Sequence, residues 1–181
     1  MNDAAHPHLG RPVPDYDLVE NTVRDVLRVN FISEPPVSPI EISQNYAIKV
    51  LFANFSEEFS AISGLLDIKN INDMSIYVNR AEPPRRQTFT IAHELGHALL
   101  HAKLFSSHPE EYKVLLRTPL GSSNDPLEQE ANAFAAHLLV PGPFLEKYSR
   151  IATDIELARL FNVSDDVIRF RKANESRNRA T

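Results

Sequence analysis

The 181 residues contain no cysteine. That excludes disulfide staples and thiolate chemistry, and it confines any metal site to histidine and carboxylate ligands. Export from the cell stays open on this ground, because many exported proteins lack cysteine. Long apolar runs are missing as well. No stretch approaches the roughly 18 apolar residues of a membrane span, and the start Met1-Asn2-Asp3-Ala4-Ala5-His6 has neither the basic nor the apolar region of a secretory leader. A cytoplasmic, bacterial-type protein is the expectation. Nor is there an excess of positive charge: the formal net charge of −5 carries no general nucleic-acid signature. With 43% hydrophobic and 24% charged residues, the chain can bury one compact core.

Residues 93 to 97 read His93-Glu94-Leu95-Gly96-His97. On an α-helix, residues four apart lie about 40° apart around the axis, so the two imidazoles project from one face as a chelate for zinc. Glu94 stands about 100° round from His93, poorly placed as a ligand and well placed as a general base. The flanks agree on a helix. Glu82-Pro83-Pro84 is a start signal, and from Arg85 to Ala102 no proline or β-branched run intervenes. Ile91, Leu95, Ala98, Leu99 and Ala102 form an apolar stripe opposite the histidines, while Gly96 lies on their side, where a missing side chain admits another element or a substrate. The competing reading is an amphipathic core helix that happens to carry two histidines; the glutamate directly after the first weighs against it.

A catalytic zinc needs a third protein ligand. Asp125-Pro126-Leu127-Glu128 opens a second helix, with Asp125 as N-cap, Pro126 at the first position and Glu128 able to reach back in a capping box; Pro141-Gly142-Pro143 ends it. Its core stripe is Leu127, Ala131, Phe134, Ala135 and Leu138. Glu128 thus has a structural use and Glu130 has none, so Glu130 is the expected third ligand, with Glu128 the alternative. His101 would sit about 12 Å along the axis from His93, too far to share the ion, and is assigned a capping role or one behind the ligands. His137, two turns after Glu130, is a candidate oxyanion or substrate contact, although a satisfied half-buried histidine is the preferred reading. Tyr77 and Arg85 are the other oxyanion candidates. His108 reads as a loop residue, and His6 and His8 belong to the N-terminal tail.

These strings resemble the ImmA/IrrE family of metallo-endopeptidases, HExxH zinc peptidases of a gluzincin-like type. Tyr77-Val78-Asn79-Arg80, Arg86-Gln87 and Phe89-Thr90-Ile91-Ala92 running into His93 to His101 are similar to the family's strand and active-site helix. Glu130-Ala131-Asn132-Ala133-Phe134-Ala135-Ala136 with Leu138-Leu139-Val140-Pro141 is similar to its second signature, with Val140 where methionine is usual. Weaker likeness extends over residues 18 to 172. The resemblance implies one Zn²⁺ per chain held by His93, His97 and Glu130, with Glu94 as base. It also implies a protein substrate, an XRE-type helix-turn-helix repressor whose cleavage would derepress stress-response or mobile-element genes. The spacer from Ala102 to Asp125 carries no motif that can be placed.

The expected architecture is α+β: a small, largely antiparallel three-stranded sheet packed on a helical layer that carries the HExxH helix. Residues 1–14 read as a flexible tail and 15–149 as the metallopeptidase domain, with a helix over Tyr16–Phe31, a short one near Ile40–Tyr46, and strands Ala47–Ala53, Ala61–Ile68 and Ser75–Asn79. Ser75–Asn79 or its hairpin partner would offer the edge on which an extended peptide binds. Residues 150–172 read as a helix-turn-helix-like extension and 173–181 as a basic tail. Five basic residues (Arg169, Arg171, Lys172, Arg177, Arg179) against three acids from Ser164 onward permit phosphate contact, but two helices closing the domain is the preferred reading. Beside the endopeptidase stands a second class: a regulatory or toxin-antitoxin partner that binds a repressor or DNA without proteolysis, its metal site structural.

Overall fold

A computed structural model of the chain describes residues 12–56, 62–107 and 125–178. Most of the 1–14 tail, Ala61, His108, most of the 102–125 spacer and the last three residues lie outside them. The elements run α1 (Tyr16–Val29), α2 (Pro39–Asn45), β1 (Lys49–Ala53), β2 (Gly64–Asn70), β3 (Asp73–Asn79), α3 (Pro84–Ser107), α4 (Pro126–Leu139), α5 (Gly142–Ser149), α6 (Asp154–Leu160) and α7 (Asp165–Asn178). The fold is α+β, largely helical, as the sequence patterns indicate.

Local chemistry sets these boundaries. Asp15 caps α1, its side chain accepting the Leu18 N–H at 2.9 Å. The stripe Val19, Val23 and Val26 then faces the core with Leu27 packed beside it. Thr153 and Glu156 form a full capping box on α6. Between β2 and β3 the chain turns over Ile71-Asn72, with Asn70 Oδ1 accepting the Asn72 N–H at 2.9 Å.

The sheet departs from expectation. Its order is β1-β3-β2, with β2 antiparallel to β3 but β1 parallel to it, so the sheet is mixed. The link between β1 and β2 allows this, because β1 is not joined to β3 by a tight turn. β3 is therefore central and both its edges are paired. Of the two strands considered for peptide pairing only β2 is an edge, and it lies over α3.

Two glycines set how closely the layers meet. A Cβ on Gly64 would come within 2.4 Å of Thr90 Cγ2 and 2.8 Å of the Tyr77 carbonyl, so the start of β2 presses directly on α3. A Cβ on Gly96 would lie 3.0 Å from the Phe134 ring. The bare histidine-side position thus admits α4 rather than a substrate, and the α3/α4 pair becomes the centre of the molecule.

Beyond α4 the helices share buried residues with the rest of the fold. Leu157, Ala158, Phe161, Val163 and Ile168 belong to the same buried cluster as Val78, Leu95 and Phe134. Arg171, counted among the basic residues that could meet phosphate, is 1% exposed. Its Nε donates to the Val140 carbonyl at 3.0 Å, Nη1 to His137 Nε2 at 2.9 Å and Nη2 to Glu175 at 2.7 Å. Arg169 pairs with Asp166 and Lys172 with Asp154. Arg169, Arg171 and Lys172 thus each have a partner within the chain, which favours helices that close the domain. Arg171→Met is expected to lower stability by about 3 kcal/mol, the scale for removing one partner of a buried pair. In calorimetry of a chain this size that is a drop of about 6–12 °C in Tm.

Candidate metal centre and active site

His93 and His97 project from the middle of α3, each under 10% exposed, and their Nε2 atoms face one another at 3.2 Å. Glu128 completes the group from the first turn of α4: Oε2 lies 3.3 Å from His93 Nε2 and Oε1 3.1 Å from His97 Nε2. Donors bound at about 2.0–2.1 Å to one tetrahedral zinc stand about 3.3 Å apart, close to the separation of the two Nε2 atoms, and with one oxygen taken from Glu128 the three donor atoms lie within 4.8 Å of one another. The residues fit a metal ion. Burial works against ionisation of Glu128, yet hydrogen bonds and charge from His93 and His97 outweigh it and hold the carboxyl well below its usual range. Two imidazoles and a carboxylate so disposed could hold a divalent cation.

The third member is therefore not the Glu130 expected from the sequence. Two residues apart on a helix means about 200° of rotation, so only one of Glu128 and Glu130 can face the imidazole pair. Glu128 turns its two oxygens to His93 and His97, while the Asp125 side chain caps the helix by receiving the Leu127 N–H at 2.9 Å. Glu130 is fully buried on the other side, its Oε1 accepting the Asp15 N–H at 2.6 Å and its Oε2 2.8 Å from His101 Nε2. The signal in the sequence that favours Glu128 is Asn132. It stands one turn on, on the same face, and its Oδ1 lies 3.0 Å from His93 Nδ1.

Glu94 is 4% exposed and borders the same cleft. Burial raises its carboxyl to about 7, against the pull of nearby His93, with Glu128 adding to the rise and the Leu66 N–H of β2 opposing it. That places the group near the poise of a general base. His101 stands one turn beyond His97, behind the ligand pair as expected, with Nδ1 at 3.0 Å from His97 Nδ1. Burial, opposed by its bond to Glu130, pulls it down to about 4.

The cleft has a volume of about 200 Å³ and is bordered by Ser63, Arg86, Phe89 and Thr90 besides the residues named. None of the three oxyanion candidates borders it. Tyr77 alternates with the buried Ile76 and Val78 along β3 and so points to the sheet face away from α3. Arg85 is one residue, about 100°, from Arg86, and it is Arg86 that reaches the rim, its Nε donating to Ser63 Oγ at 3.3 Å. His137 packs on Arg171 instead.

Burial and the adjacent guanidinium pull His137 down to about 4. The unfolded chain, with histidine near 6.5, then binds more protons than the folded one between those values, so stability falls as pH drops through that window. Melting temperatures from pH 7 to 4 are expected to fall less steeply in His137→Gln, whose amide oxygen can still accept from Arg171; an unchanged slope would exclude His137 as a source.

The model of the IrrE N-terminal-like domain, peptidase M78, matches residues 44–172. Among solved structures, a Mycobacterium tuberculosis transcriptional regulator is similar with a TM-score of 0.58 at 19% identity. That likeness, one of fold, covers 86% of this chain and 46% of the other, so the chain spans just under half that protein's length. No curated protein matches the chain. All the residues of the cleft fall inside the span of the family match, and the chain belongs to the IrrE N-terminal-like family of M78 peptidases.

Proposed function

We propose that the protein is a zinc-dependent endopeptidase that cuts a protein substrate at a defined site, with His93, His97 and Glu128 holding one zinc ion and Glu94 serving as base. The observation that carries this reading is the group of two imidazoles and a carboxylate, its donor atoms within 4.8 Å of one another, beside a buried carboxyl in a cleft under an edge strand. A structural zinc site closes with four protein ligands, whereas three donors facing a cleft leave a position for water and substrate. That favours catalysis over the non-proteolytic alternative.

A bound zinc would acidify a water and polarise the scissile carbonyl. Glu94 takes the proton from the attacking water and returns it to the leaving amine as the C–N bond breaks. Asn132 and His101 hold the outer nitrogens of the two imidazoles, so both rings keep their inner nitrogens toward the cation. The outer edge of β2 offers backbone groups to an extended peptide, and Arg86 and Phe89 lie along its path.

The substrate proposed is an XRE-type helix-turn-helix repressor, supported by the family and by a structural neighbour titled a transcriptional regulator. Incubation of zinc-loaded protein with the repressor encoded beside its gene is expected to give one discrete cut, read by mass spectrometry and suppressed by a chelator. A repressor left intact by protein that carries one zinc per chain would reject this substrate. Among the described residues no helix is long and apolar enough to cross a membrane.

A further inference from the structure

Glu130 and His101 lie outside the proposed ligand set, yet they are 0% and 2% exposed. A carboxylate so deeply buried must be compensated. Both oxygens of Glu130 are engaged, Oε1 by the Asp15 N–H at the start of α1 and Oε2 by His101 Nε2; His101 Nδ1 then meets His97 Nδ1. The row ends at His97 Nε2, one of the three donor atoms.

The protons in this row follow from its carboxylate end. An ionised carboxylate only accepts, so the proton between Glu130 and His101 sits on His101 Nε2. A neutral imidazole protonated there has a lone pair on Nδ1, and the proton between the two histidines therefore belongs to His97 Nδ1. His97 Nε2, which faces Glu128, is then the nitrogen left for the metal. Asn132 secures His93 with a single neutral acceptor, whereas the row behind His97 ends in a charge.

We propose that Glu130, acting through His101, is a positioning residue that holds His97 in its metal-binding tautomer and raises the basicity of its Nε2. The proposal rests on the metal site described above but not on proteolysis. The bond from Asp15 ties the start of α1 into the row and fixes the orientation of the Glu130 carboxylate, which explains why this acid sits beside the site without entering it.

Glu130→Gln is the informative change. Its single oxygen is drawn to the Asp15 N–H, which leaves the amide NH₂ facing His101 Nε2. That arrangement reverses both tautomers and puts a proton on His97 Nε2. Zinc affinity, read by competition with a chromophoric chelator, is expected to fall about 10- to 100-fold, the usual effect of losing a partner behind a ligand. Ring ¹⁵N shifts of the zinc-loaded wild-type protein are expected to show His101 protonated at Nε2 and His97 at Nδ1, with the His101 proton moved to Nδ1 in the variant. Opposite tautomers in the wild type would overturn the proposal even if the variant failed to fold. So would a folded Glu130→Gln protein with wild-type zinc affinity. A wild-type protein with no zinc affinity would overturn the metal site as well, whereas zinc binding without any proteolysis would count against the proposed function alone.

Discussion

Glu94→Gln is expected to lower kcat/KM for peptide cleavage about 10³-fold while zinc content stays at one per chain. Glutamine keeps the size of the side chain and its contact with the Leu66 N–H but cannot take a proton from water. General-base catalysis by a positioned carboxylate contributes about 10²–10⁴-fold, so the expected loss corresponds to about 4 kcal/mol of barrier. Zinc content should not move, because Glu94 stands about 100° round the helix from His93 and outside the donor triangle. Stability of the metal-free protein should change in the opposite sense to activity. Burial raises the Glu94 carboxyl to about 7, so between 4.5 and 7 the folded chain binds more protons than the unfolded one and loses stability as pH rises. The variant has no such dependence at this position. At pH 8 metal-free Glu94→Gln is expected to melt above the wild type, by an amount that shrinks toward pH 5; this shift is of the order of 3 kcal/mol at most. Cleavage that survives the substitution would remove Glu94 from the chemistry.

The helix that carries the motif is readable because several local signals agree as far as Ala102: a proline start, an uninterrupted run of helix formers, and an apolar stripe opposite the two histidines. The N-cap at Asp125 follows from the same rules. What sequence periodicity does not fix is which side of α4 meets α3. Glu128 and Glu130 are both compatible with a helix whose stripe includes Leu127, Ala131 and Phe134, and the choice between them depends on the angle at which Phe134 enters over Gly96. A cap argument then assigned Glu128 a local partner that the fold does not use. The direction of β1 was hidden for a related reason, since a strand's alternation is the same whether its neighbour runs parallel or antiparallel. His137, a candidate cleft contact, and Arg171, a candidate phosphate contact, bond to each other instead, a pairing that composition and spacing do not reveal. Arg86 sits next to Arg85 in the chain, and only the position of Ser63 at the start of β2 distinguishes the two.

Glu128→Ala and Glu94→Gln should separate ligand from base even without a substrate. Loss of one of three donors is expected to weaken zinc by more than the roughly 100-fold that an outer partner accounts for, and to leave the purified protein with well under one zinc per chain. In the metal-free state the pH dependence has the opposite sign to that of Glu94. The Glu128 carboxyl is held below its usual range by the two imidazoles in spite of burial, so its ionised form stabilises the fold above about pH 4.5, and that contribution fades as pH falls below this value. Metal-free Glu128→Ala should therefore melt below the wild type at pH 7, with the gap narrowing under acid, while Glu94→Gln melts above it. The reason lies in the surroundings of each carboxyl. Glu128 faces two nitrogens that can donate to it, whereas Glu94, on the same cleft, is dominated by burial and receives one backbone N–H. A cation entering the triangle takes the place of those donors for Glu128. If Glu128→Ala kept full zinc occupancy, the donor triangle would not be the metal site, and the two histidines would need another third ligand.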